Sequence, residues 1–376
     1  MKQIPQIEPL FGEEETNAVT EYMKSGGWLM EYEKTRELEK MIANYVDAKY
    51  CVMVPNGTLA ISAMLLALGI KPGDEVIVPD YTMMATATAV SLIGAKPVLV
   101  DIEPQTLAID YNQYHDRRIT NTPMFNTRKG KETKAVILVS INGRVTKDQQ
   151  SLYNNTMHHD IPVIEDAAQS LGSWFGDEHV GTMGDMGSFS FSSAKIISSG
   201  GGGAVVTDNK EYYEKLKLIK DFGREKAGID KCIYPGINLK FTDLQAVVLI
   251  EQMKKLSQRI ERKKEMYKRY RETLENVRDI KFIDTNLRYT TPWFVDILVK
   301  SRKQRADLID YLKTKRIGTR PFYPSLHTQL PYSDATSMRF VVSSHVSNCG
   351  LWLPSSLTLT DDDIDYVCKE IKGGLK

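Results

Sequence analysis

The chain has 376 residues, 42% hydrophobic and 26% charged, with 49 basic against 48 acidic side chains and a formal net charge of +1. That length suits one large and one smaller domain and is ample to enclose a buried site. The even charge balance argues against a chain built to bind nucleic acid or an anionic membrane, and no stretch approaches the roughly 20 apolar residues of a membrane span. Cys51, Cys232, Cys349 and Cys368 are scattered without paired spacing, which argues against a disulfide framework and against a zinc site. The opening MKQIPQIEPLFGEEE has no apolar leader core, so a soluble, cytoplasmic protein is expected.

From residue 50 to about 208, short runs rich in Val and Ile alternate with helical patterns, the mark of βα units in a mostly parallel sheet. Strands are expected at 51–55, 75–79, 97–101, 134–140, 161–165, 188–191 and 203–207. Between them, 58–69, 86–94 and 147–155 read as helices, the first two closed by glycine. The polar stretch 104–131 reads as a loop-rich excursion. After Thr242 one long helical pattern runs to about residue 277, with charge density rising toward its end. Such a helix is buried first and solvated later, and it links a large domain, 1–250, to a C-terminal one, 251–376. In the second domain strands are expected at 293–299 and 320–322, with helices near 303–315 and 361–372. The expected architecture is α/β: a large domain with a mostly parallel seven-stranded sheet, and a smaller α+β domain.

Three stretches carry chemistry. Pro55-Asn56-Gly57-Thr58 falls between a strand end and a helix start, where free backbone N–H groups and the helix dipole attract anions. The plainer reading is an Asn-Gly turn. In IPVIEDAAQS an apolar strand ends in Glu165 and Asp166, and carboxylates at strand tips of open α/β sheets face the ligand crevice. Asp166 there either keeps a pyridinium nitrogen protonated or caps a following helix. In MGSFSFSSAKIISSGGGGAVVTD, Ser190 and Lys195 follow a strand and precede four glycines. A lysine in such a place is a nucleophile if desolvated and a surface charge if not. His158 and His159, in a polar helix end, read as surface.

The order and spacing of these three stretches resemble the large domain of fold-type I, aspartate-aminotransferase-like enzymes that use pyridoxal phosphate. More closely, nearly the whole chain is similar to the DegT-type sugar aminotransferase family. The resemblance rests on SGGWLMEYEKTRELEK, PNGTLAI, EVIVPDYTMMATATAV, GAKPVLVDI, VIEDAAQSLGS, GDMGSFSFSSAK, GGGGAVVTD, GINLKFTDLQA, RPFYPSLH and LWLPSSLTLTDDDIDYV. Within the family, the NGT turn and the short spacer to FSF look like the synthases of 4-amino-4,6-dideoxy sugars such as perosamine and viosamine.

The resemblance implies pyridoxal 5'-phosphate as cofactor, with Lys195 as its Schiff-base lysine and Asp166 as partner of the pyridine nitrogen. Gln169 falls near the phenolic oxygen. Gly57, Thr58 and Ser190 match the phosphate cradle, and Asn238 matches an asparagine that reaches the phosphate from a neighbouring subunit, which implies a homodimer with shared sites. Where relatives stack an aromatic ring on the cofactor, this chain has Met83, with Tyr81 as an alternative. Trp28, Tyr323 and His327 are the implied substrate contacts. Lys195 also argues against the dehydratases of the family, in which a histidine stands there. The implied reaction moves an amino group from L-glutamate to a nucleotide-linked 4-keto-6-deoxy sugar, the nucleotide being UDP, dTDP or GDP, with UDP or dTDP favoured. Alternatives are amination of a 3-keto sugar and a non-catalytic sensor that keeps the fold.

Overall fold

The computed structural model describes residues 3–113, 133–158, 160–226, 228–335 and 340–375. The apolar runs become β1 (Tyr50–Val54), β2 (Glu75–Pro79), β3 (Lys96–Val100), β4 (Thr133–Val139) and β5 (Val163–Asp166). A small hairpin of β6 (Trp174–Phe175) and β7 (Glu178–His179) follows, then β8 (Met186–Ser190) and β9 (Gly203–Thr207). Seven of these form one sheet in the order β1-β9-β8-β5-β4-β2-β3. Only β9 runs against its neighbours, and the other pairings are parallel. Alternate residues of β1 enter different cores, Val52 and Val54 on one side and Cys51 and Met53 on the other, as a sheet covered on both faces requires. A smaller antiparallel sheet, β10 (Ile280–Phe282), β11 (Asp296–Val299), β12 (Arg320–Pro321) and β13 (Gly350–Trp352), has the order β10-β11-β13-β12.

The helices are α1 (Glu13–Lys24), α2 (Glu33–Val46), α3 (Gly57–Ala67), α4 (Ala85–Leu92), α5 (Gln149–His158), α6 (Lys210–Lys220), α7 (Asp243–Lys254), α8 (Leu256–Leu274), α9 (Arg302–Thr314), α10 (Val341–Cys349) and α11 (Asp361–Gly374). Gly69 and Gly94, expected to close α3 and α4, follow them at φ +81 and +78, a conformation glycine adopts without steric penalty. Residues 114–132, within the expected loop excursion, and His159 lie outside the described residues, as does the side chain of His158.

Several expectations need correction. The single long helix after Thr242 is two: Lys255, at φ −97, ψ −1, is a turn residue between them, and its N–H donates to Gln252 O three residues back at 3.1 Å. The two ends of the pattern serve different cores, with the change falling inside the second helix. Residues 246–260 face the large sheet together with Phe189 and Phe191, whereas Met266, Tyr267, Tyr270 and Leu274 pack with the small sheet and α11. Leu10 O accepts from both Gln252 Nε2 and Arg259 Nη2, so the N-terminal segment crosses the break. The strand expected at 293–299 starts only at Asp296, because Trp293 and Phe294 stack their rings at 3.8 Å instead of pairing as a strand. Helix α2 has no local cap: the Asp243 carboxylate accepts from Tyr32, Lys34 and Thr35 N–H groups at 2.7, 2.9 and 2.9 Å. Ile4 packs into the core of the small sheet and pairs with Ile317.

Candidate active site

Antiparallel β9 between β1 and β8 leaves those two strands parallel to β5, so the tips of β1, β5 and β8 lie on one edge of the sheet. That edge is where ligands of open α/β sheets bind. At the β1 tip, Asn56 Oδ1 caps α3 by accepting from Leu59 N–H at 2.9 Å, leaving the N–H groups of Gly57 and Thr58 at the positive end of the helix. A Cβ on Gly57 would stand 3.1 Å from Ser190 Cβ and 3.4 Å from Ser190 Oγ, so the backbone turn and the hydroxyl form one small cradle. The glycine run serves this closeness: Gly202 bridges to Asn56, and a Cβ on Gly203 would collide with the Asn56 carbonyl carbon at 2.5 Å.

Asp166 ends β5, buried. Its Oδ2 accepts from Thr86 Oγ1 at 2.7 Å and its Oδ1 from Ala168 N–H at 3.2 Å. A turn follows it, so the helix-cap alternative falls away. Burial raises its pKa, while Thr86, the Ala168 N–H and the Lys195 charge pull it back. Thr86 Oγ1 also lies 2.9 Å from Thr82 Oγ1, which places a second hydroxyl behind the first. Half-buried Gln169 accepts from Asn142 N–H through Oε1 at 2.8 Å. A backbone N–H needs an oxygen acceptor, so the Gln169 NH₂ is the end left to donate to a ligand.

Lys195 shares a narrow cavity with Gln169, Ser190, Thr291 and Trp293. Loss of hydration lowers its amine to about 8, with the nearby Asp166 charge opposing and Arg320 adding to the effect. Such an amine is neutral to an appreciable degree near neutral pH, which a nucleophile or proton carrier needs. Trp293, from the second half of the chain, places its ring 3.9 Å from Lys195 Nζ and donates from Nε1 to Ala194 O at 2.6 Å.

The remaining expected residues are distributed as follows. Met83 is 42% exposed one turn before Thr86, and Ala85 N–H donates to its sulfur at 3.0 Å. Tyr81, the alternative ring-stacking residue, is fully buried against Phe322 and Tyr323 and cannot cover a ligand. Tyr323 is buried, with its pKa raised to about 12 chiefly by burial and also by the Asp166 charge. His327 is held by Asp80, which accepts from its backbone N–H at 2.8 Å and lies 2.7 Å from its Nδ1. Trp28 and Asn238 are exposed and do not line the Lys195 cavity of their own chain. Thr86, Asn142, Trp293 and Arg320 were not singled out from sequence, since none belongs to a local motif of the strand tips.

A half-buried lysine of lowered pKa, a buried carboxylate near it, and a helix-start cradle completed by a hydroxyl are the donor set that pyridoxal phosphate requires, and the residues present fit that group. Among the described residues no helix is long and apolar enough to cross a membrane. Residues 9–372 match the DegT/DnrJ/EryC1/StrS aminotransferase family. The chain is 30% identical over 371 residues to a GDP-perosamine synthase of Escherichia coli O157:H7, covering 99% of this chain and 98% of the relative. It is 31% identical over 376 residues to a GDP-perosamine synthase of Vibrio cholerae, covering 98% of each. Among solved structures, a DegT DnrJ EryC1 StrS aminotransferase from Brucella abortus superposes with a TM-score of 0.88 at 27% identity, covering 96% of this chain and 95% of that one.

Proposed function

From the premise that this chain belongs to the DegT/DnrJ/EryC1/StrS aminotransferase family, and is a pyridoxal-phosphate-dependent sugar aminotransferase, we propose that it moves an amino group from L-glutamate to a nucleotide-linked 4-keto-6-deoxy sugar. The products are 2-oxoglutarate and a 4-amino-4,6-dideoxy sugar nucleotide. The observation that carries this reading is the buried Lys195 amine, lowered to about 8 beside Asp166. The perosamine synthases among its relatives support the sugar class and favour keeping GDP with UDP and dTDP as a candidate nucleotide.

Bound at the strand tips, pyridoxal phosphate supplies a carbonyl that accepts the amino group and a ring that withdraws electrons when its nitrogen is protonated. Asp166 would pair with that ring nitrogen, and the Thr86 hydroxyl and Ala168 N–H favour its carboxylate form against the opposing effect of burial. Gly57, Thr58 and the Ser190 hydroxyl bind the phosphate. The Gln169 NH₂ would donate to the phenolic oxygen, and the Met83 side chain would cover the ring. Lys195 Nζ holds the cofactor at rest, takes the α-proton of glutamate and later delivers a proton to the sugar carbon. Tyr323, His327 and Trp28 are assigned to the substrate side.

Two copies complete the site in this proposal, with Asn238 reaching the partner's phosphate cradle. An exposed apolar surface supports a second copy: Trp28 is 71% exposed, Phe222 44%, Ile233 53% and Ile237, beside Asn238, 48%. Its two segments are joined by the Lys220–Glu31 ion pair at 2.8 Å. Such a surface is larger in character than scattered single residues and is suited to burial. We assign the protein to the cytoplasm.

The test incubates the cofactor-loaded protein with L-glutamate and UDP-, dTDP- or GDP-linked 4-keto-6-deoxy sugars, reading 2-oxoglutarate and the aminated product. Formation of the 4-amino sugar by the wild type, absent in Lys195→Ala, is expected. Amination of a 3-keto sugar alone, or of no nucleotide-linked sugar, would overturn the proposal.

A further inference from the structure

A groove of about 460 Å³ is lined by Arg302, Arg305 and Arg320 together with Ser344, Ser347 and Asn348, and also by Tyr323. Its charge is one-sided. Among the described residues none of the three guanidiniums is paired with a carboxylate, in a chain whose overall charge is only +1. Arg302 and Arg305 also occupy the first turn of α9, which contains no acidic residue. Helix starts favour anions, so two cations there repel both the dipole and one another. Asp307, one turn on, is taken by Lys303 at 2.6 Å.

The groove is also built rather than loose. Arg305 Nη1 donates to the carbonyls of Ser347 and Gly350, anchoring that guanidinium against the end of α10. Arg320 is held 5.5 Å from the ring centroids of both Tyr323 and Trp352. A planar cation fixed between two rings loses little freedom when it takes a ligand. Arg320 lines the groove, and its charge is felt by Lys195.

From this uncompensated, partly preorganised cation cluster, whose 320–325 segment runs on to Leu326 and His327, both hydrogen-bonded to Asp80 at the tip of β2, we infer that the groove seats the diphosphate of the nucleotide-linked substrate. The inference rests on the sugar-nucleotide reading above and extends it to a named subsite. The volume accommodates a diphosphate with its ribose, and the hydroxyl and amide side chains supply neutral donors beside the guanidiniums.

The test is calorimetric binding of UDP, dTDP, GDP and inorganic pyrophosphate to the cofactor-loaded protein, compared with Arg302→Gln and Arg305→Gln. Arg302 is exposed, so its variant keeps the test decisive even if Arg305→Gln unfolds. At least one nucleoside diphosphate should bind the wild type, more weakly as salt rises, and each variant should lose about tenfold in affinity. Variant affinities within about twofold of wild type would overturn the inference, as would absence of nucleoside diphosphate binding or variant-sensitive binding of pyrophosphate alone. Turnover of the wild type with keto-sugar nucleotides is read separately. If turnover fails while the Arg302→Gln loss persists, the sugar reading falls and the anion groove stands; if turnover succeeds and affinities do not move, the groove falls alone.

Discussion

Trp293 holds Lys195 from two directions: its ring lies 3.9 Å from Nζ, and its Nε1–H ties down the carbonyl of the preceding residue, Ala194, at 2.6 Å. The indole is itself backed by Phe294, stacked at 3.8 Å, and its carbonyl accepts from buried Lys263 at 2.9 Å. Trp293→Phe keeps a ring and removes one donor, which corresponds to about 1 kcal/mol and roughly fivefold in the rate of the glutamate half-reaction. Stopped-flow absorbance of the cofactor measures it. A rate equal to wild type would show that the Ala194 bond does not position the lysine.

Burial lowers the Lys195 amine to about 8 from an ordinary 10.5. Between those values the unfolded chain binds more protons than the folded one, so stability rises with pH across that window. Below about pH 8 both states carry the proton, and the full penalty of burying the charge is present. Lys195→Met should therefore raise the Tm of the cofactor-free protein at pH 7 and lose that advantage by about pH 10. The gain is expected at about 1–3 kcal/mol, reduced because the side chain is not wholly covered. An equal gain at both pH values would point to packing instead of charge.

Tyr81 is fully buried, and its hydroxyl has no hydrogen-bond partner among the described residues. An unmatched buried hydroxyl destabilises, so Tyr81→Phe should leave urea stability unchanged or raise it by about 1 kcal/mol. A loss larger than about 1 kcal/mol would reveal a partner such as an ordered water.

Arg144 and Asp296 form a buried bidentate pair at 3.1 and 2.7 Å that joins the segment after β4 to β11. Removing one partner leaves an uncompensated charge, and Arg144→Met is expected to cost about 3–5 kcal/mol in urea unfolding. The double variant Arg144→Met with Asp296→Leu should recover much of that loss. Equal instability of single and double variants would contradict the pairing argument.

If Asn238 serves the partner's site, a variant inert at Asn238 mixed with Lys195→Ala should regain activity. Each mixed dimer then carries one site with both defects and one with neither, and about half of the dimers are mixed after random exchange. No recovery in demonstrably mixed dimers would refute the shared site.

Local sequence was sufficient wherever a residue's neighbours in the chain are also its neighbours in space. Strands β2 and β9 fall on the residues expected from their apolar runs, because an uninterrupted Val-rich run bounded by polar or glycine residues pairs in few ways. Gly57, Asp166, Ser190 and Lys195 were legible for a related reason: each stands at or just beyond a strand tip, and the tips of parallel strands share one edge. Tertiary contact decided the rest. Thr86 meets Asp166 across 80 residues of chain, Trp293 meets Ala194 across 99, and Asp243 caps α2 across 209 and 208. No motif or periodicity marks such partners, because a hydroxyl, an indole or a carboxylate acquires its role only when folding has removed water from around it and brought the group it serves within about 3 Å.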